Sequence, residues 1–243
     1  MATSRFGSRV APILLRLALG LTFLWAGLGK FAALEPVSGE NAAILANMGV
    51  TLAPAPATTP ASFAPPAAKP LSASDFPTPI NTMRVNMIAL MIHKAAHPVP
   101  KADGSEPMLL WPPKAAEGRL PVYFAWGASL AELVGGAFLL LGFLARLSAF
   151  FVSGTMLGAL WLANIGPALQ SGNTRWGFLP NHELFAGGDA SYVSVLWPLT
   201  LLMASLSVLL LGAGALSVDS LLFGTTKAPP PRPLPKPLPK PPA

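Results

Sequence analysis

Two ionisable residues interrupt long apolar runs of this 243-residue chain, Lys30 in WAGLGKF and Glu132 in GASLAELVGG. A carboxylate at the depth of a bilayer core is costly unless it is paired, neutralised or turned towards a polar cavity. Gly127, Ala131 and Gly135 form a small-residue stripe beside Glu132, and Ala128 and Gly136 flank it at four-residue spacing. Stripes of this kind let a second helix approach closely, so the spacing points Glu132 into a bundle. At about 1.5 Å per residue, Glu132 lies about 15 Å below the outer end of its run, and Lys30 and Asn164 roughly 5–10 Å below theirs. A lysine side chain bridges part of that gap. Glu132 and Lys30 are therefore the candidate catalytic residues, one exchanging a proton and the other holding charge. Asn164, Trp161 and Trp126 are the candidates for binding a cofactor. Two readings stand at this level. One is a polar pocket in the outer half of the bundle that takes a small polar or quinone-like headgroup. The other is a buried ion pair that sets helix register.

Other polar motifs carry less. His93 and His97 are spaced i, i+4, which puts both on one face of a helix, and Met83, Met87 and Met91 run beside them. Soft sulfur and imidazole suit copper(I), yet no acidic or third imidazole partner accompanies them, and methionine stripes are usually packing surfaces. No metal site is expected. Asn181, His182 and Glu183 read either as a cap over the pocket or as a solvated turn. The chain has no cysteine, which excludes a disulfide relay, a thiolate nucleophile and an iron–sulfur cluster. Phosphate loops, nucleophile elbows, dinucleotide fingerprints and zincin helices are absent from the sequence.

The elements that must position these residues follow from composition. Only 11% of residues are charged, against about 25% in a soluble domain. Four apolar runs reach the roughly 20 residues that a bilayer core requires: Ala11 to Leu34, Val122 to Leu144, Leu147 to Leu169, and Val193 to Leu211 with a shoulder to Phe223. The first is too long for a signal h-region and contains Arg16 and Lys30, so it reads as a retained helix. Arg16, near the inner end, is expected to snorkel. The 28 prolines cannot be spread through such spans. They belong to a long outer loop, 35–121, and to a low-complexity tail, 224–243. Within the loop, Thr51 to Pro70 is Ala/Pro/Thr-rich and expected to be extended, and Ile80 to His97 has the spacing of one short helix. The tail, with its PxxP-like spacing and a cation every fourth residue from Arg232 to Lys240, should be polyproline II. It is expected to be a stiff, lipid-facing segment or a docking ligand. Arg5, Arg9, Arg146 and the tail cations all fall on one side, which makes both termini cytoplasmic. Trp25, Trp126, Trp161 and Trp197 sit in the outer halves of their runs, and Trp111 and Trp176 in outer loops. The net charge of +6 flanks apolar runs, which suits anionic lipid better than nucleic acid.

The first run, RLALGLTFLWAGLGKF, the second, AELVGGAFLLLGFLARLSA, and the end of the fourth, GAGALSVDSLLF, resemble the DoxX family. The spacing of Gly27, Lys30, Glu132, Gly135, Gly136, Gly142 and Arg146 matches its pattern, and GGD before the fourth run resembles its approach to the last helix. The resemblance covers the spans, somewhat over a third of the chain, and leaves out the outer loop and the tail. It implies a four-helix bacterial inner-membrane bundle, in agreement with hydropathy. It implies less about function: some relatives are linked to thiosulfate:quinone oxidoreductase, others to oxidative-stress complexes, and many have no assigned activity. The first expectation is a small subunit of a quinone-linked membrane redox complex, partnered by membrane or periplasmic redox proteins. The alternative is a scaffold that recruits partners through its loop and tail. A solute transporter is disfavoured by the lack of repeats or broken helices.

Overall fold

The computed structural model describes residues 2–52, 70–100, 104–182, 191–214 and 217–222, with side chains from Val10 to Ser220 within those ranges. Glu183, the GGD motif, most of the Thr51–Pro70 stretch and the proline-rich tail lie outside the described residues. Four rods carry the architecture. They are α1 (Ala2–Ala32), α4 (Leu120–Leu141), a composite rod of α5 (Ala145–Ala159), a π-helical turn (Leu160–Ile165) and α6 (Gly166–Ser171), and α7 (Val193–Leu211). Each contains a stretch long and apolar enough to cross a membrane: Val10–Ala32, Leu120–Leu141, Ala145–Ser171 and Val193–Leu211. The molecule is a multi-pass, mostly helical membrane protein.

The rods stand in the order α1, α4, α5, α7 around the bundle, and α7 closes the ring against α1. Glycine sets how near they come. A Cβ on Gly136 would lie 2.5 Å from the backbone nitrogen of Leu24, and one on Gly27 would lie 2.7 Å from the Cα of Leu133. Backbone therefore meets backbone where α1 crosses α4. Between α5 and α7 the contact is partly polar, with the hydroxyls of Ser153 and Ser205 2.7 Å apart and both buried. Leu19, Phe23, Leu139, Val152 and Val208 fill the centre. The apolar shoulder beyond Leu211 does not extend the last rod. Gly212 takes φ 83°, and the chain turns into a separate short helix, α8 (Val218–Leu222).

The segment between the first two spans departs from the expectation of one short helix in an extended loop. A strand, β1 (Leu34–Val37), pairs antiparallel with β2 (Ile80–Met83), in the register Leu34 opposite Met83. Between them lies α2 (Gly39–Asn47), and α3 (Arg84–Ala96) follows directly. Ile80 to Met83, expected to begin the helix, is drawn into pairing with a strand some fifty residues earlier, which local periodicity cannot register. The Arg84–Glu35 ion pair, at 2.7 Å, pins that junction. Val37, Leu45, Val85 and Leu90 then form a second core with Val122 and Ala125 of α4. The described parts of the loop thus form a folded cap on one end of the bundle. A smaller hairpin at the same end joins β3 (Thr174–Arg175) to β4 (Leu179–Pro180) through Trp176 and Gly177, both at positive φ. The sheets are minor, and the architecture remains helical.

Candidate functional site

Lys30 and Glu132 meet. The Lys30 ammonium donates to Glu132 Oε2 at 2.5 Å, bridging α1 and α4. Gly27, one turn before Lys30, lets α1 lie against the backbone of Leu133, which brings the lysine within reach of the neighbouring carboxylate. The Glu132 side chain is only 4% exposed and that of Lys30 21%. One turn before Glu132, Ser129 is fully buried, and its hydroxyl has no hydrogen-bond partner among the described residues.

The pair forms part of the wall of a cavity of about 660 Å³ between α4 and α5. Gly127, Ala128 and Ala131 line it on one side, Gly154 and Gly158 on the other, with Tyr123, Phe124, Phe150 and Phe151 around them. Nothing lies within 4 Å of where a Cβ would stand on Gly127, Gly154 or Gly158. The small-residue stripes therefore divide into two uses. Gly135 and Gly136 are spent on helix contact, Gly135 with Val152 3.0 Å from its would-be Cβ. Gly127 and the Gly154–Gly158 motif instead leave an apolar groove, with the ion pair as its principal charged feature.

The three candidate cofactor contacts are placed elsewhere. Asn164 lies in the π-helical turn and lines a different cavity, with Asn181 and His182. The Trp161 indole donates to the Leu110 carbonyl at 2.9 Å, holding the strap 104–112 against the same turn. Trp126 packs its ring 5.3 Å from that of Phe31, at the base of the cap. Depth bookkeeping gives height along a helix but not direction around it, and a π turn adds a residue that changes that direction. Asn181 and His182 accordingly stand by Asn164 and not over Glu132.

Arg16 does not snorkel. It is buried, with 4% exposure, and its guanidinium donates to the Ala213 carbonyl at 2.6 Å. It also lies against Gly142, which sits at φ 66°, where a Cβ would overlap the guanidinium. Asp219 completes this arrangement. Its carboxylate accepts from the Leu144 and Ala145 amides at 2.7 and 3.0 Å, capping α5, and its charge faces Arg16. Sequence reasoning missed Asp219 as a cap because 75 residues separate it from Leu144. The signal available was the SVDSLLF motif.

His93 and His97 stack with ring centroids 4.4 Å apart, and the His97 ring bonds the His93 carbonyl. No cluster of three or more His, Asp or Glu capable of holding a metal occurs among the described residues. Burial, and secondarily the neighbouring His97, hold the His93 pKa below the usual imidazole value, while a hydrogen bond with the Ala116 backbone opposes them.

A multi-pass helical protein with a buried Lys–Glu pair on a groove is the class these observations define. Residues 82–165 match the DoxX family model. The matched stretch holds the Glu132 segment and runs to the end of the π turn. The Lys30 and Asp219 segments lie outside it. It begins within β2 and includes α3, so the family-like part reaches into the cap that the sequence reading had set apart. No curated protein and no solved structure matches the chain.

Proposed function

We propose that the protein is a DoxX-like subunit of a quinone-linked redox complex in a bacterial-type inner membrane, with both termini cytoplasmic. The observation that carries this reading is the charged pair set into the wall of a mostly apolar, glycine-lined groove, whose other polar lining side chains are Tyr123 and Thr155 among the described residues. An amphiphile with a polar ring and an aliphatic tail matches that division. The ring would sit at Lys30 and Glu132 and the tail along Gly127, Gly154 and Gly158. About 660 Å³ falls within the roughly 300–1,000 Å³ typical of small-molecule sites. Lys30 would donate to a ring oxygen and hold its developing charge, and Glu132, freed from its partner, would take or give the proton. A bound quinone supplies two-electron, two-proton chemistry, and electrons would come from a partner redox protein.

The test fills the groove without touching the pair. Gly158 has open space at its Cβ position, so Gly158→Leu should fold normally and lose binding of a short-chain quinone to protein in lipid nanodiscs. Glu132→Gln should abolish quinone-dependent turnover of the complex purified in mild detergent. Undiminished binding by Gly158→Leu would overturn the groove as the site. A second reading, a scaffold, is favoured by the cap, whose core, shared with Val122 and Ala125 of α4, is distinct from that at the centre of the bundle. On that reading, deleting 51–70 or the tail removes co-purifying partners, whereas Glu132→Gln costs only stability.

A further inference from the structure

The β3–β4 hairpin ends in two exposed aromatic rings, and its depth can be reckoned from the rods beside it. The ends of α5 and α7 remote from the cap are level. There Arg146 donates to the Leu210 carbonyl at 3.5 Å and lies 3.2 Å from where a Cβ would stand on Gly212. From those ends, at about 1.5 Å per residue, the rods rise about 30 Å to Ile165 and about 28 Å to Val193. A bilayer core is about 30 Å thick, so Ile165 and Val193 mark its boundary at the cap end. Trp161 and Trp197, one turn inside that boundary, are both exposed, as interfacial tryptophans are. The composite rod continues to Ser171, about 9 Å further.

The chain does not stay at that height. After Gly172 it turns, and β4 comes back to lie against the π turn, Leu160–Ile165. Leu179 packs on the bundle core that includes Leu160 and Val195, and Pro180 is buried. The open end of the hairpin, where the Asn181 amide donates to the Asn173 carbonyl at 3.1 Å, follows directly on the end of the rod. Its tip is Trp176, Gly177 and Phe178, next to Leu179, and so stands at the core boundary.

The tip carries side chains ill suited to water. Trp176 is 79% exposed and Phe178 58%. Trp176 also holds φ 56°, a conformation that bulky residues seldom adopt and that Gly or Asn takes more readily. A turn in water gains nothing from a ring there, whereas a turn at a lipid interface gains its burial. Arg175, exposed on β3, sets a cation beside the rings, which matches lipid phosphate. Pairing of β3 with β4 satisfies backbone groups while the rings enter the leaflet.

We propose that the hairpin is a lipid anchor: Trp176 and Phe178 insert into the leaflet at the cap end, and Arg175 holds a phospholipid phosphate above them. The anchor fixes the segment between the last two spans against the bilayer, independently of the groove and its ligand.

The chain contains no cysteine, so an engineered thiol is a unique attachment point. A nitroxide is attached to Phe178→Cys in phosphatidylcholine nanodiscs, and its collisions with oxygen and with a water-soluble nickel chelate are read by power saturation. Leu196→Cys, exposed on α7, is the lipid reference, and Glu40→Cys, exposed on the cap, is the water reference. The oxygen-to-nickel ratio for Phe178→Cys should be close to the lipid reference and at least about threefold above the water reference. Adding Trp176→Ser to the labelled chain should lower that ratio by about twofold or more, because the tip loses its interfacial ring. Both replaced side chains are exposed, and thermal unfolding checks that each variant is folded. A ratio equal to the water reference overturns the proposal. So does a label shielded from both reagents, which places the tip against protein, or one that Trp176→Ser does not move.

Discussion

At the scale of single residues, the Lys30–Glu132 pair combines a structural role with a chemical one, and the two can be separated. Burying both charges costs desolvation that their attraction only partly returns, whereas removing one partner strands the other. Lys30→Met or Glu132→Leu alone should therefore destabilise the protein by about 3 kcal/mol, and the double variant should recover most of that loss. Thermal unfolding in detergent measures the first effect, and quinone binding measures the second. A double variant that is stable yet fails to bind assigns the pair a ligand, and one that still binds leaves it a structural role only. Lys30 and Glu132 were legible in the sequence because a charge inside an apolar run must find a partner. Asn164 was legible as polar and at the right height, but its direction depends on a π turn, which composition does not announce. Arg16 was misread because its acceptor, Ala213, lies 197 residues away.

At the scale of elements, glycine does two opposite things in one bundle. Gly20, Gly27 and Gly136 draw α1 onto α4, whereas Gly127, Gly154 and Gly158 hold space open. Gly136→Ala should cost about 1–3 kcal/mol, because its Cβ would press on the backbone of α1, which cannot yield as a flexible side chain can. Gly154→Ala should be neutral or slightly stabilising, since alanine is the better helix former by about 1 kcal/mol and meets no neighbour. Paired thermal-shift measurements of the two variants check the contrast. Equal losses would mean that the α4–α5 groove is closed. In the sequence these residues look alike, as small residues at four-residue spacing. The cap repeats the lesson. The helical pattern over Ile80 to His97 is real, but its first turn is a strand because β1 offers an edge to pair with.

At the scale of the whole molecule, four spans bring the cap and the β3–β4 hairpin to one end and the start of α1 and α8 to the other. The proposed cytoplasmic placement of that end rests on Arg5, Arg9 and Arg146, through the bias of short, positively charged segments. Alkaline phosphatase inserted within 53–69 should accordingly be active, and a fluorescent protein fused after Ala243 should be bright. The reverse pattern would invert the topology and place both cavities at the cytoplasmic face. The sequence by itself determined the membrane class, the number and bounds of the spans to within a few residues, and which two charges within them would meet. Those features depend on local composition and on the cost of burying charge, and both are written residue by residue. Only the tertiary structure decided which glycines touch and which open a groove, where Asn164 is aimed, that the outer loop folds as a cap, and that Asp219 caps α5 beside a buried Arg16. Each of these depends on the direction a side chain takes around its helix, or on a partner far along the chain. Neither can be read from local pattern and spacing.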